Sequence, residues 1–233
     1  MDSTFKTIDE DNIEKLIIFE PMVGVIAEKI KKDIVYGRIK RGSKLSTRKI
    51  SEELNVSRTP VREAIRRLES EGLIALLPRR GFVVKEYDLD EIKEIYQVRK
   101  ILESEAIRCA CINMIIEELD NIENISKELN EELKKQPSNL FKIQEINKRF
   151  HFSIYCVCHN KTLCNIIENL WYKSFGLLIT IFSAPHRREE IPIEHQAIIA
   201  ALKTGKPDEA VKALRDHMRE TKSILISYAK KVY

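Results

Sequence analysis

The sequence predicts a mainly α protein: an N-terminal winged helix-turn-helix with a small β-hairpin wing, followed by an all-α bundle of about six helices. Three observations point there. Apolar residues recur at helical spacing along most of the 233 residues, and only seven Gly and seven Pro interrupt them. Two short extended runs, separated by Pro78-Arg79-Arg80-Gly81, lie between one group of short helices and a second group of long ones.

Residues 1–20 are acidic and weakly patterned apart from Ile13, Leu16 and Ile17, which predicts a short helix or a loose arm. A first clear helix spans about 21–36, with Val25, Ile26, Ile30 and Ile34 on its inner stripe and Gly37 as its stop. Ser46 or Thr47 can cap a second helix that carries Ile50 and Leu54 and breaks at Asn55-Val56. A third covers about 57–71. Val61, Ala64, Ile65 and Leu68 fall at i, i+3, i+4 and i+7 and form one buried stripe, and Pro60 is tolerated in the first turn. Gly72 ends it, and 74–77 and 82–85 make the hairpin.

Beyond Tyr87 the period is helical nearly to the end, with helices near 89–112, 115–135, 139–159, 162–182, 187–204 and 207–231. The breaks are Pro137-Ser138, Asn160-Lys161, Pro185-His186 and Gly205-Lys206-Pro207. The predicted organisation is an arm at 1–20, a winged helix-turn-helix at 21–87 and an all-helical domain at 88–233.

Composition narrows the function classes. The longest nearly apolar run, 175–184, is too short to span a bilayer. The acidic N-terminus lacks the basic and apolar regions of a signal peptide, so a cytoplasmic location with no membrane partner is expected. Five cysteines, including Cys109 and Cys111 and then Cys156 and Cys158, sit in helical patterns. Residues two apart on a helix point about 200° away from each other, so these pairs are poor chelators and read as small buried thiols in a reducing compartment.

The net charge of +4 hides an asymmetry. Residues 22–85 hold 16 Lys and Arg against 7 Asp and Glu, a local net of +9, while residues 86–233 sum to −1. Such a concentration suits a surface that meets a polyanion. Opposite the buried stripe of the third helix, Arg58, Arg62 and Arg66 recur on one face. Arg58, Thr59 and Arg62 lie in or near its first turn, the end of a recognition helix that usually meets base edges in the major groove. Arg can bond bidentately to guanine, and the Ser57 and Thr59 hydroxyls and first-turn amides suit phosphate oxygens. Arg48 and Lys49 open the second helix, and Arg79 and Arg80 occupy the wing tip, where Gly81 permits a tight turn. The bland alternative is a solvated basic helix beside a structural hairpin.

Residues 45–84, and above all Val-Ser-Arg-Thr-Pro-Val-Arg-Glu-Ala-Ile-Arg-Arg-Leu at 56–68, resemble the GntR family of bacterial regulators. The resemblance implies that positions matching Arg48, Arg58, Thr59, Arg62 and the wing tip contact operator DNA. Thr47 stands where Glu is common and Asn55 where Gly is common, and neither removes a proposed contact. The helical remainder resembles the FCD ligand-binding domain of the FadR-type branch. The carriers are residues 95–103, 147–151, 194–202 and 215–217. That resemblance implies a divalent metal, zinc or nickel, held by Asn147, His151, His195 and His217, with Asn147 standing where many relatives have Asp. An amide oxygen is a weaker ligand than a carboxylate.

The residues themselves support this placement. Asn147 and His151 are neighbours on one helix face that also carries Ile143 and Ile154. His195 lies between Ile191 and Ile198, and His217 between Leu214 and Thr221, so three of the five histidines face inward from three helices. Hydrogen-bonded core histidines are the alternative. Arg99 lies on an inward stripe with Ile92, Tyr96, Leu102 and Ala106, and a buried guanidinium needs a partner. That partner is either the carboxylate of an organic-acid effector, as the family suggests, or Glu103 one turn away. The leading reading is a homodimeric regulator, more naturally a repressor than an activator, that reads an inverted-repeat operator and responds to a small organic acid. A three-histidine metalloenzyme is the competing class, but no H-E-x-x-H arrangement is present, so the chain is not expected to be an enzyme. An architectural DNA-binding protein without effector is a third reading.

Overall fold

A computed structural model describes residues 10–35, 37–137, 139–182 and 185–232. The chain divides into two compact units, one ending at Glu86 and the other beginning at Tyr87. The first unit contains α1 (Glu10–Val35), α2 (Thr47–Leu54), α3 (Arg58–Ser70) and the antiparallel strands β1 (Ile74–Leu77) and β2 (Gly81–Val84). Its core is the α3 stripe of Val61, Ala64, Ile65 and Leu68 set against Val23, Ile26, Ala27, Ile30 and Ile34 of α1.

Two details of α1 differ from expectation. The helix begins at Glu10 and runs through Pro21 instead of starting there. Pro fixes a helix-compatible φ and removes one N–H, and Pro21 is exposed, so water can satisfy the carbonyl it leaves unpaired. Residues 1–9 of the predicted arm lie outside the described residues. Val25, expected on the inner stripe, is 70% exposed, and Val23 and Ala27 take its place. Spacing from Ile26 alone does not distinguish these neighbours.

The turn between α2 and α3 closes on Asn55, whose left-handed backbone (φ 52°, ψ 46°) is tolerated by Asn far better than by a branched residue. Ser46 caps α2, its Oγ accepting from the Lys49 amide at 3.2 Å. The wing pairs Ile74 with Val84 and Leu77 with Gly81, one residue earlier than the expected second strand. Arg79 and Gly81 hold φ of 61° and 77° at its tip.

The second unit contains α4 (Leu89–Asn113), α5 (Ile116–Lys134), α6 (Leu140–Tyr155), α7 (Lys161–Phe182), α8 (Pro185–Lys203) and α9 (Pro207–Val232). An Asp88–Glu91 capping box starts α4, which packs against α6, α7 and α9. The expected helix over 139–159 ends at Tyr155. Cys156–Cys158 form a 3-10 turn instead, and His159 is left-handed at φ 55°. The cysteines are therefore not uniformly buried helical thiols. Cys111 and Cys158 are buried, Cys109 and Cys164 half-buried, and Cys156 exposed, and all five are free. Among the described residues no helix is long and apolar enough to cross a membrane.

Candidate functional site

In the first unit, the burial of one face of α3 turns the opposite one outward. Arg58, Thr59 and Arg62 are exposed on it, as is Ser57 at the N-cap. Ser57 makes no side-chain cap bond, so its hydroxyl and the first-turn amides of α3 are open to an acceptor. Arg48 and Lys49 are exposed on α2, and Arg79 and Arg80 on the wing, with Gly81 half-buried beside them. These cations are loosely held. Arg48 pairs with Glu52 at 2.8 Å and Arg62 lies 3.9 Å from Glu63. Exposed pairs of this kind are worth at most about 1 kcal/mol and yield readily to a phosphate.

In the second unit, α6, α8 and α9 bring His151, His195 and His217 together. Their ring centroids form a nearly equilateral triangle with sides of 5.1, 5.0 and 5.1 Å. One ligand nitrogen from each lies within 4.8 Å of the other two. All three rings are buried. Burial first, and the neighbouring cationic forms next, push His151 and His195 well below the usual imidazole range, so both are neutral and can offer a lone pair.

The bonding around the triangle is incomplete in one specific way. Neither ring nitrogen of the fully buried His195 has a hydrogen-bond partner, nor does Oδ1 of the buried Asn147. A core histidine kept for structure alone has its ring nitrogens satisfied. One ring nitrogen of His195 and Oδ1 of Asn147 can therefore offer lone pairs beside those of His151 and His217. Three imidazoles and an amide oxygen suit a borderline divalent ion such as zinc or nickel.

Two residues that sequence reasoning did not assign complete this picture. Glu194 Oε2 lies 2.6 Å from His217 Nδ1, which leaves Nε2 of that ring for the centre of the triangle. Arg187, wholly buried, clamps Glu194 with two bonds of 2.5 and 2.7 Å. The pull of His217 and Arg187 outweighs burial and keeps the Glu194 carboxyl below its ordinary range. Glu194 is adjacent in sequence to His195, a faint signal. Arg187 carries none, because a charged residue beside a predicted break reads as surface.

Arg99 is held by protein groups. Its Nε donates to Glu103 at 2.6 Å and its NH1 to Ser174 at 2.9 Å, and the guanidinium stacks 4.4 Å from the Trp171 ring. Glu103 also accepts from Trp171 Nε1 at 3.0 Å and from the Tyr155 hydroxyl at 2.6 Å. Arg99 nevertheless lines a small cavity with Tyr96, Asn147, His151 and His217. Burial raises the Tyr96 phenol to about 12, which keeps it protonated, and its oxygen has no hydrogen-bond partner.

Comparison with known proteins agrees with both units. Residues 94–220 match the FCD domain, and residues 23–84 match the bacterial regulatory proteins of the gntR family. The chain is 32% identical over 192 residues to the uncharacterized HTH-type transcriptional regulator YdhC of Bacillus subtilis, covering 81% of this chain and 84% of that one. It is 28% identical over 198 residues to the HTH-type transcriptional regulator McbR of Escherichia coli, covering 84% and 89%. The solved structure of McbR superposes with a TM-score of 0.80 at 27% identity, over 89% of this chain and 98% of that one. The gluconate operon transcriptional repressor of Bacillus licheniformis is 30% identical over 200 residues, covering 82% and 80%. These relatives are transcriptional regulators, not enzymes.

Proposed function

Since the chain belongs to the GntR family of bacterial regulatory proteins and carries an FCD domain, we propose that it is a homodimeric repressor whose hold on an inverted-repeat operator is set by a small organic acid bound beside a divalent ion. That it is a DNA-binding transcriptional regulator follows from the family. The observation that carries the rest is the triangle of buried histidines with unpartnered lone-pair atoms on His195 and Asn147.

At the operator, Arg58, Thr59 and Arg62 meet base edges, while Ser57, Arg48 and Lys49 hold phosphates and Arg79, Arg80 and Gly81 bring the wing to a neighbouring groove. In the helical unit, His151, His195, His217 and Asn147 hold zinc or nickel, with Glu194 and Arg187 orienting His217. The ion would supply a Lewis-acid anchor for the effector carboxylate. Arg99 and Tyr96 offer that carboxylate further donors. Ligand binding then acts by favouring one of two arrangements of the paired DNA-binding units.

The dimer is supported by α4. Ile95, Val98, Leu102, Glu105, Cys109 and Ile112 fall at alternating spacings of three and four, the pattern of a helix-pairing seam. Val98 is 44% and Ile112 69% exposed, with Ile101 beside them at 63%. A second copy of the chain is the partner that such a seam and a two-fold operator require together.

Selection of bound genomic fragments by the full-length protein, followed by footprinting, tests the DNA reading. The wild type is expected to protect a two-fold site, and the Arg58→Ala, Arg62→Ala chain to lose specific protection while keeping its fold. An unchanged footprint would reject these contacts.

A further inference from the structure

The cavity beside the histidines is small. Its free volume is about 30 Å³, a few times the roughly 10–15 Å³ that one buried water needs on the same measure. The head of an organic acid fits such a space, and the remainder of the molecule does not. Tyr96 and Met218 line this cavity and also line a second, open hollow of about 560 Å³ between α4 and α9. The two spaces therefore share a wall made of those side chains.

The hollow is strongly charged. Lys100 and Arg108 of α4 face Lys212, Arg215, Arg219 and Lys222 of α9 across it, with Asp208 and Asp216 as the acidic residues of its lining. Asp208 is taken by Arg108 and Asp216 by Arg219, each at 2.9 Å. Lys100, Lys212, Arg215 and Lys222 have no carboxylate partner among the described residues, and Arg215 is oriented by the neutral Ser104 hydroxyl at 2.9 Å. Four unmatched positive charges thus converge on one concavity, in a stretch (residues 86–233) whose overall charge is −1. On an ordinary solvated helix face such charges diverge into water. Here they line one shared hollow, where an anion seated between them would be attracted by all four.

We propose that this hollow is the outer half of the effector site and takes a second anionic group, so that the effector is a small dianion or polyanion and not a monocarboxylate. It enters past Tyr96 and Met218, places one carboxylate in the histidine cavity and leaves its second charge among Lys100, Lys212, Arg215 and Lys222. The inference rests on the reading of the histidine cavity as the effector site.

Matched probes test it on the full-length, zinc-loaded protein: glycolate against phosphoglycolate, and lactate against malate, followed by calorimetry and by Trp171 emission. The dianion of each pair is expected to bind at least about tenfold tighter, with a margin that shrinks as salt rises. In the Lys100→Gln, Lys212→Gln chain the margin should fall to about threefold or less, while Lys212→Arg keeps it, because the charge and not the ammonium is required. A phosphate-only gain would mark the second group as a phosphate, and a gain in both pairs would admit a second carboxylate. Equal affinities within both pairs, or a full margin in the double variant, would overturn the inference alone. Failure of all four probes to bind a protein carrying one zinc per chain would overturn the effector reading with it.

Discussion

Replacing His195 with Leu separates a metal ligand from a structural histidine, because the two readings give opposite signs. His195 is fully buried, neither ring nitrogen is bonded, and its ring stacks on Phe150 at 3.9 Å and 11°. In metal-free protein the two orphaned nitrogens each cost roughly 1–3 kcal/mol of unreturned desolvation. The stacking offsets about 1 kcal/mol of that. Leu has similar volume and no polar atom, so the variant should stabilise the chelated helical unit by roughly 1–5 kcal/mol. With a urea slope of about 1–3 kcal/mol per molar, the midpoint should rise by on the order of 1 M. Zinc at about 100 times its dissociation constant should then stabilise the wild type by roughly 2.7 kcal/mol and the variant not at all.

The assay is built into the chain. Trp171 is the single tryptophan, it is buried, and its ring centroid lies 5.2 Å from that of His151. Its emission therefore reports unfolding of the helical unit without interference from the DNA-binding unit, which matters because a two-unit protein need not unfold in one step. A midpoint that falls in the chelated variant, together with a wild type indifferent to zinc and nickel, rules out a metal ligand at His195. That result would mean a histidine kept for packing.

Three further outcomes are expected. Asn147→Asp should tighten zinc binding on the order of tenfold by adding a charged oxygen, read by competition with a chelating dye; unchanged affinity would place Asn147 outside the ligand set. The metal-free chain should lose stability in acid. His151 and His195 are held well below 6.5 in the fold but titrate near 6.5 when unfolded, so their contribution is fully present above that pH and falls by up to about 1.4 kcal/mol per pH unit for each as pH drops. Equal urea midpoints at pH 7.5 and 5.5 would contradict buried neutral imidazoles. Val98→Glu, on the exposed seam of α4, should convert a dimer into a monomer at micromolar concentration in sedimentation, and a chain that stays dimeric rejects that seam.

Helical period made the histidines legible. His195 sits between Ile191 and Ile198, His151 one turn before Ile154 and His217 one turn after Leu214, which turns each inward, and Asn147 shares the His151 face. The same logic exposed the arginine row on α3, because burying Val61, Ala64, Ile65 and Leu68 leaves the opposite face in water. What period cannot supply is the register between helices. The bond from His217 to Glu194 spans 23 positions and two helices, and the Glu103 contacts with Tyr155 and Trp171 span 52 and 68. Such contacts depend on how far one helix slides along another, which no local pattern encodes. The C-terminal limit of α6 is hidden from the sequence for a related reason. Cys156 and Cys158 continue the apolar pattern of α6, but the chain tightens into a 3-10 turn there and reverses at His159.

The charge balance of the site explains why an anion should belong to it. Arg99 is matched by Glu103 and Arg187 by Glu194, both inside the domain. His151 and His195 are neutral, and Asn147 contributes no charge. With no carboxylate in the proposed ligand set, the two charges of a divalent ion would lie uncompensated in a small buried cavity, where an unmatched charge is expensive. An acidic effector supplies that compensation, so metal and effector should each strengthen the binding of the other by the same factor. An aspartate at position 147 would supply part of it permanently, tightening the ion while weakening the coupling. On this argument the amide that departs from the family pattern is what makes occupancy of the metal site report the effector.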